Sequence, residues 1–407
     1  MLSSVKLELS LVFLIATIFF VILPCVIKED YCNTLLFMGA RFFAGVCVFI
    51  LACCTLGAHG HLYARDHRGR LFFGTQYHHQ YLWAHREEMR PHLGNPVHAF
   101  ELNLGWQTSG DMQWHRAYNM PSLGLGFFYA DLGNPDVFGD VRSGFIYMDF
   151  IMGKTASVQR RFKVSLGLSN FSEYYDAETN PENEFIGTRW NVHVNFNYKF
   201  HYRISQHVEL TPGVSFTHFS NGAYQKPNRG LNLFDVNLGL RYNLGASEET
   251  FQPTHDDNLE WPVGEQRLLT SYAIGFMQRN IGDPHYQAHT LTLNLLKRGS
   301  YRSRWGLGAD FFYDEHAKEW VRLQQEQTSF ADYVRAGGFV SYDLVFDRLS
   351  LLLNLGVYYY YGYEPENPVY KRIGLRYFIT SNVLAHMALK AHFGRADYVA
   401  WGLGYAL

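Results

Sequence analysis

The chain has 407 residues, with 35 Lys and Arg against 37 Asp and Glu and a formal net charge of −2. So even a balance lacks the basic footprint of a nucleic-acid partner. Aromatics make up 17 %, and the five cysteines (Cys25, Cys32, Cys47, Cys53, Cys54) all fall in the N-terminal stretch, so the body that follows has no disulfide framework and no thiolate metal site.

The N-terminus carries two apolar stretches. One runs from Leu11 to Ile27 and is followed by Lys28-Glu29-Asp30; the other runs from Phe42 to Cys54, after Met38 and Arg41 and before Ala58-His59-Gly60. A basic segment, an apolar run and a small-x-small site make a secretory signal peptide. The preferred reading starts translation at Met38 and cleaves near Gly60, with residues 1–37 an upstream extension. A membrane helix over 11–27 is the alternative, at the short limit for spanning. A lipid anchor on Cys53 is disfavoured by the bulk of Leu51. Residues 1–60 are thus an apolar extension and signal peptide, and 61–407 the body. No later apolar run is long enough to span as a helix, so a membrane-embedded body has to be a closed barrel, which satisfies its backbone without water.

Period-two alternation recurs along that body. Phe162, Val164, Leu166 and Leu168 alternate with Arg161, Lys163, Ser165 and Gly167. Trp190, Val192, Val194, Phe196, Tyr198 and Phe200 alternate with Asn191, His193, Asn195, Asn197 and Lys199. Phe234, Val236, Leu238, Leu240 and Tyr242 alternate with Asp235, Asn237, Gly239 and Arg241. The last strand sets Val399, Trp401, Leu403, Tyr405 and Leu407 against small residues. One face apolar and the other polar or small is the pattern of an all-β transmembrane antiparallel β-barrel. A soluble sandwich also alternates, but faces carrying Asn, Lys and Arg suit a wet lumen better. Turn-like breaks, among them Gly133–Asp140, Gly222–Gly230 and His316–Gln327, space the body into roughly 14–16 strands. The polar insertion Gly245–Glu260 separates two halves of what reads as one barrel.

The stretch Thr217-His218-Phe219-Ser220-Asn221-Gly222, followed by Pro227-Asn228-Arg229-Gly230-Leu231-Asn232, reads as a hairpin. His218 and Ser220 share a face with Val208, Leu210, Val214 and Phe216, because residues i and i+2 of a strand point the same way. A base and a hydroxyl thus project from the apolar side, where a polar group is costly without a partner or a role. In a membrane barrel that side faces lipid, which suggests chemistry on a lipid. Antiparallel pairing brings Asn232 beside His218 on the same face, whereas Asp235 has the opposite parity. Gly222 and Asn228 lie in the turn, where a backbone N–H and a side-chain amide can serve an oxyanion.

Over residues 205–244 this arrangement resembles the outer-membrane lipid A 3-O-deacylases, the PagL-type acyloxyacyl hydrolases, through His218-Phe219-Ser220-Asn221 and Pro227-Asn228-x-Gly230. Trp106-Gln107-Thr108-Ser109-Gly110 and Asn180-Pro181-Glu182-Asn183 look like parts of a larger variant. The resemblance implies an outer-membrane serine esterase that removes the acyl chain at position 3 of lipid A, facing the outer leaflet and using no cofactor. Carried over, Ser220 is the nucleophile, His218 the general base and Asn228 an oxyanion donor. The family's triad carboxylate falls at position 232, where this chain has Asn. An amide orients an imidazole but adds no charge, so a slow esterase, a recruited second carboxylate and a silent site all remain open.

The alternative function is a non-enzymatic barrel, a diffusion channel or structural protein with a relic motif, motivated by the polar face Asn191–Lys199. His78, His79, His85, His92 and His98 share no metal-ligand spacing. Tyr358–Tyr361 reads as an aromatic girdle or strand end. Arg86, Arg90, Lys226 and Arg229 read as solvated loop charge, with lipid A phosphates as the competing role.

Overall fold

The structure, a computed structural model, describes residues 71–84, 87–154, 158–244, 259–262, 264–324, 328–365 and 367–407. The expected extension, signal peptide and cleavage site lie outside them, as does most of the Gly245–Glu260 insertion.

The first half folds as β1 (Leu71–Leu82), β2 (Val97–Gln107), β3 (Ser122–Asp131), β4 (Asp140–Lys154), β5 (Val158–Phe171), β6 (Trp190–Arg203), β7 (Val208–Leu210), β8 (Gly213–Ser220) and β9 (Leu231–Asn243). Neighbours pair antiparallel, and β9 returns to β1 with Thr75 opposite Leu240. β7 and β8 both pair with β6 and β9, and their register continues unbroken from Leu210↔Leu240 to Gly213↔Asn237. They are one stave interrupted at Pro212, which has no N–H to donate, so nine strands make eight staves. The second half is a separate closed barrel of β10 (Gln266–Met277), β11 (Tyr286–Arg298), β12 (Ser303–Asp314), β13 (Val334–Phe346), β14 (Leu349–Tyr361), β15 (Val369–Phe378), β16 (Val383–His392) and β17 (Arg395–Ala406).

This corrects the expectation of one barrel. The sixteen staves agree with the expected strand number, but they close as two barrels of eight. β17 pairs with β10, so each half satisfies its own edges. Residues 316–327, read as a turn, contain instead a helix, Glu315–Gln324, whose Ala317 and Val321 are buried one turn apart.

Alternation puts the apolar faces outside. On β9, Phe234, Val236, Leu238, Leu240 and Tyr242 are exposed while Asp235, Asn237 and Arg241 are buried. That is the inverse of a soluble protein and suits a hydrocarbon surround.

The lumen of each barrel is packed with side chains. Eight staves enclose only enough room for side chains, and those chains are charged. Lys163 is 0 % exposed and pairs with Glu101. Lys199 Nζ lies 3.4 Å from Asp149 Oδ2, and Phe145 stacks on His193 at 5.2 Å between centroids. The second barrel repeats the device with Arg372–Asp310, Arg376–Asp343 and Lys390–Asp397. Breaking such a pair from one side leaves a buried charge alone, at about 3–5 kcal/mol. Lys163→Met is therefore expected to lose that much stability by urea titration in micelles. Adding Glu101→Gln should recover much of it; a loss below about 1 kcal/mol would mean that water reaches Glu101.

The two barrels touch at both rims. At the rim carrying the 221–230 loop, Gln278 N–H donates to Ala223 O (3.2 Å) and the ring of Tyr224 lies 4.5 Å from that of His285. At the other rim, Tyr118 Oη donates to Val345 O (2.8 Å), and its ring sits 4.4 Å from Phe346. Outward residues of β5 and β6 such as Val164, Leu166, Val192 and Val194 are half-buried, whereas those of β2 and β9 are exposed.

Candidate active site

Cross-strand register assembles the site. His218 on β8 stands opposite Asn232 on β9 and opposite Val194 on β6, and Ser220 stands opposite Val192. Directly opposed residues of an antiparallel pair carry their Cβ atoms about 5 Å apart on one face. Here that face is the outer wall. Phe219, between them, points inward, is fully buried, and packs on Phe128, Phe171 and His193. Its anchoring fixes the strand phase that turns His218 and Ser220 outward.

His218 Nδ1 lies 2.7 Å from Asn232 Oδ1, and His218 Nε2 lies 3.1 Å from Ser220 Oγ. An amide oxygen can only accept, so Nδ1 carries the proton. In the neutral ring Nε2 is then the acceptor, and the Ser220 hydroxyl donates to it. Hydroxyl, imidazole and amide form one directed chain. All three are half-buried, close to the rim.

The loop that follows is held in an uncommon shape. Gly222, Ala223 and Gly230 have φ of 66°, 69° and 75°. Asn228 Oδ1 accepts the Asn221 N–H (3.1 Å), which leaves the Asn228 Nδ2 group as the donor end of that amide. Gly230 N–H donates to Phe185 O (3.0 Å), and Asn221 Nδ2 to Gln225 O (2.9 Å). A Cβ on Gly230 would stand 2.9 Å from His218 Cε1 and 3.0 Å from Phe219 O, so only glycine lets the imidazole sit where it does.

Asp235 lies on the other side of the wall. It accepts from Ser215, Gln80 and Asn237 and sits 3.2 Å from His78 Nδ1, all in the lumen. Arg229 pairs with Glu184 (2.6 Å) and Glu88 (3.3 Å), and Arg90 with Glu87 (3.3 Å), so both arginines are matched by carboxylates. Arg86 and His85 lie outside the described residues. His79 and His98 face each other across β1 and β2 at 5.4 Å between ring centroids and bond to Tyr81 and Tyr77, while His92 faces Glu182. Tyr358 turns inward to His392 (2.9 Å), while Tyr359, Tyr360 and Tyr361 form the exposed end of β14.

Among the described residues, the matching hairpin of the second barrel shows no serine–histidine–amide chain. β16 and β17 join through Phe393-Gly394, and His392 is buried against Tyr358. Its contribution to the site is Gln278, Val399 and His285, which reading along the strands did not find. Burial pushes the His285 imidazole, packed beside Tyr224, down from its ordinary value.

An all-β protein of two small membrane barrels, with a hydroxyl, an imidazole and an amide on the outer wall of one, is an outer-membrane barrel carrying a hydrolase-like constellation. The family described as lipid A 3-O-deacylase (PagL) matches residues 98–241, and the acyloxyacyl hydrolase C-terminal domain matches residues 266–407. The chain belongs to the PagL-type lipid A 3-O-deacylase family. No curated protein sequence matches it. Among solved structures, the outer membrane enzyme PagL is 12 % identical over 41 % of this chain and 97 % of that one, with a TM-score of 0.28. Neisserial surface protein A is 10 % identical over 42 % of this chain and 96 % of that one, with a TM-score of 0.30.

Proposed function

We propose that the first barrel is a serine esterase that removes the ester-linked acyl chain at position 3 of lipid A. The observation that carries this reading is the hydrogen-bonded chain from Ser220 through His218 to Asn232 on a wall that faces hydrocarbon. An acyl chain lying in the outer leaflet can reach Ser220 without leaving the membrane. Ser220 Oγ attacks the ester carbonyl carbon and its proton passes to His218 Nε2. The carbonyl oxygen becomes an oxyanion, received by Asn228 Nδ2 and the Gly222 N–H. His218 then returns the proton to the departing sugar oxygen, leaving an acyl-Ser220 that water hydrolyses by the reverse steps. No cofactor enters. Asn232 fixes the His218 tautomer throughout. The protein reaches the outer membrane through a signal peptide cleaved near Gly60, with the 221–230 loop outward, since long loops of such barrels face the exterior.

The test is incubation with lipid A in mixed micelles and mass spectrometry of the products, beside Ser220→Ala. Loss of one hydroxy-acyl chain in the wild type alone supports the esterase. No loss in either, with phospholipids also tried, removes it. The second reading, a relic motif on a non-enzymatic barrel, draws on the uncharged Asn232. Its channel form sits poorly with lumens filled by ion pairs, and conductance in planar bilayers would restore it.

Gly230→Ala forces a left-handed φ on alanine and drives a methyl at His218. A displacement of about 1 Å at a reacting group costs about 10²-fold, so turnover is expected to fall by that order while the barrel still folds by heat-modifiable gel mobility. Retained turnover would show that His218 need not stand where Gly230 allows.

A further inference from the structure

Gln278 belongs to the second barrel, yet two of its three described hydrogen bonds are made to a turn of the first. Its backbone N–H donates to Ala223 O (3.2 Å), its side-chain Oε1 accepts the Lys226 N–H (2.8 Å), and its Nε2 donates to Asp283 O (2.7 Å) in its own loop. The residue is 8 % exposed. The same turn meets the second barrel twice more. Val399 on β17 stands so close to Gly222 that a Cβ there would be 2.6 Å from its Cγ2, and Tyr224 packs on His285.

The conformation held this way is uphill. Gly222 and Ala223 are successive left-handed residues, and an alanine at positive φ persists only where its surroundings over-determine it. The Gly222–Ala223 peptide is flanked by Ser220 two residues before it and Asn228 five residues after it. Gln278 grips the turn at two points, Ala223 O and Lys226 N. The Gly222 N–H lies in the preceding Asn221–Gly222 peptide, so the backbone that follows this donor is held at Ala223 O and Lys226 N by a residue from the other barrel.

We propose that the second barrel is a positioning module for the first, and that Gln278 is the positioning residue that holds the oxyanion turn. This rests on the esterase reading of Ser220 and His218. The catalytically empty barrel then acts by pre-organising the donors rather than by touching substrate. Donors fixed in advance cost no reorganisation at the moment of reaction.

The test uses the full chain in lipid A mixed micelles, with three proteins beside the wild type. Gln278→Leu keeps the bulk and the backbone bond but loses the acceptor for Lys226. Gln278→Glu keeps that acceptor, but replaces the donor to Asp283 O with a second acceptor and brings a carboxylate to a buried position. Ser220→Ala is the chemical blank. Gln278→Leu is expected to lower kcat by about 10–100-fold with KM within about twofold, and Gln278→Glu to recover most of it. Hydrogen exchange over 221–228 should rise in Gln278→Leu and return in Gln278→Glu. Turnover of Gln278→Leu within about threefold of wild type, or a loss that tracks the folded fraction and is no smaller in Gln278→Glu, overturns the clamp and leaves the esterase standing. A wild type as inactive as Ser220→Ala sinks the esterase, and the catalytic role of Gln278 with it. If Gln278→Leu does not fold, the Gln278→Glu profile decides: near-wild-type kcat with a protected turn is expected, and a loss matching Ser220→Ala overturns the clamp.

Discussion

Ser220→Ala is expected to abolish turnover while leaving the barrel intact. The hydroxyl makes its one described hydrogen bond to His218 Nε2 (3.1 Å) and sits half-buried on the outer wall, so its removal opens no cavity in the packed lumen. Stability should change by less than about 1 kcal/mol, as for other surface substitutions. Activity is another matter. Loss of a serine nucleophile in a full triad costs about 10⁶ in kcat. The fall here starts from a lower level, because an amide replaces the charged member, itself worth about 10⁴ in a serine protease. A drop of at least about 10² is therefore the expected reading. Product release by mass spectrometry, with folded fraction by gel mobility, checks both halves. Undiminished deacylation in the mutant would mean that the hydrogen-bonded chain is ornamental and that another group performs the attack.

How far the fold and the site are legible in the sequence follows from what a period of two encodes. Alternation along Trp190–Phe200 and Phe234–Tyr242 tells which side chains share a face, so it places His218, Ser220 and Asn232 on one wall and Asp235 on the other. It does not encode which strand closes onto which. One barrel of sixteen staves and two of eight alternate alike, and whether side chains fill the lumen follows from the stave count. The signal that separates these cases is a repeat. Val141-Arg142-Ser143-Gly144-Phe145 on β4 returns as Val334-Arg335-Ala336-Gly337-Gly338-Phe339 on β13, with the added glycine where the register shifts between Ala336 and Gly337. Asp149 and Asp343 then occupy matching inward sites, each salt-bridged to a lumen cation. Tyr77 meets His98 Nδ1 at 2.6 Å between β1 and β2, and Tyr272 meets His289 Nδ1 at 2.6 Å between β10 and β11. Self-similarity at this spacing reads as two copies of one closed unit. Gln278 could not be found this way, because its partners lie in the other copy.

Asn232→Asp is expected to raise kcat, by as much as about 10⁴ if the charge acts here as in a serine protease. Orientation is already supplied: His218 Nδ1 lies 2.7 Å from Asn232 Oδ1, and an aspartate of the same length would keep that bond. What the amide lacks is charge. When Ser220 gives up its proton, His218 becomes an imidazolium on a wall whose neighbours are Val192, Val194 and Phe216, poor solvators of a cation. A carboxylate at 232 would pair with it at contact distance, where low surrounding dielectric makes the attraction large. The opposing term is the cost of ionising a half-buried carboxylate before reaction, which holds the gain below the limit. Asn232→Leu separates the two contributions, since it removes orientation as well and should fall below wild type. A rate in Asn232→Asp no higher than wild type, with Asn232→Leu strongly impaired, would mean that the imidazolium is already stabilised by another group, and the amide would then be a complete third member of the site rather than a weakened one.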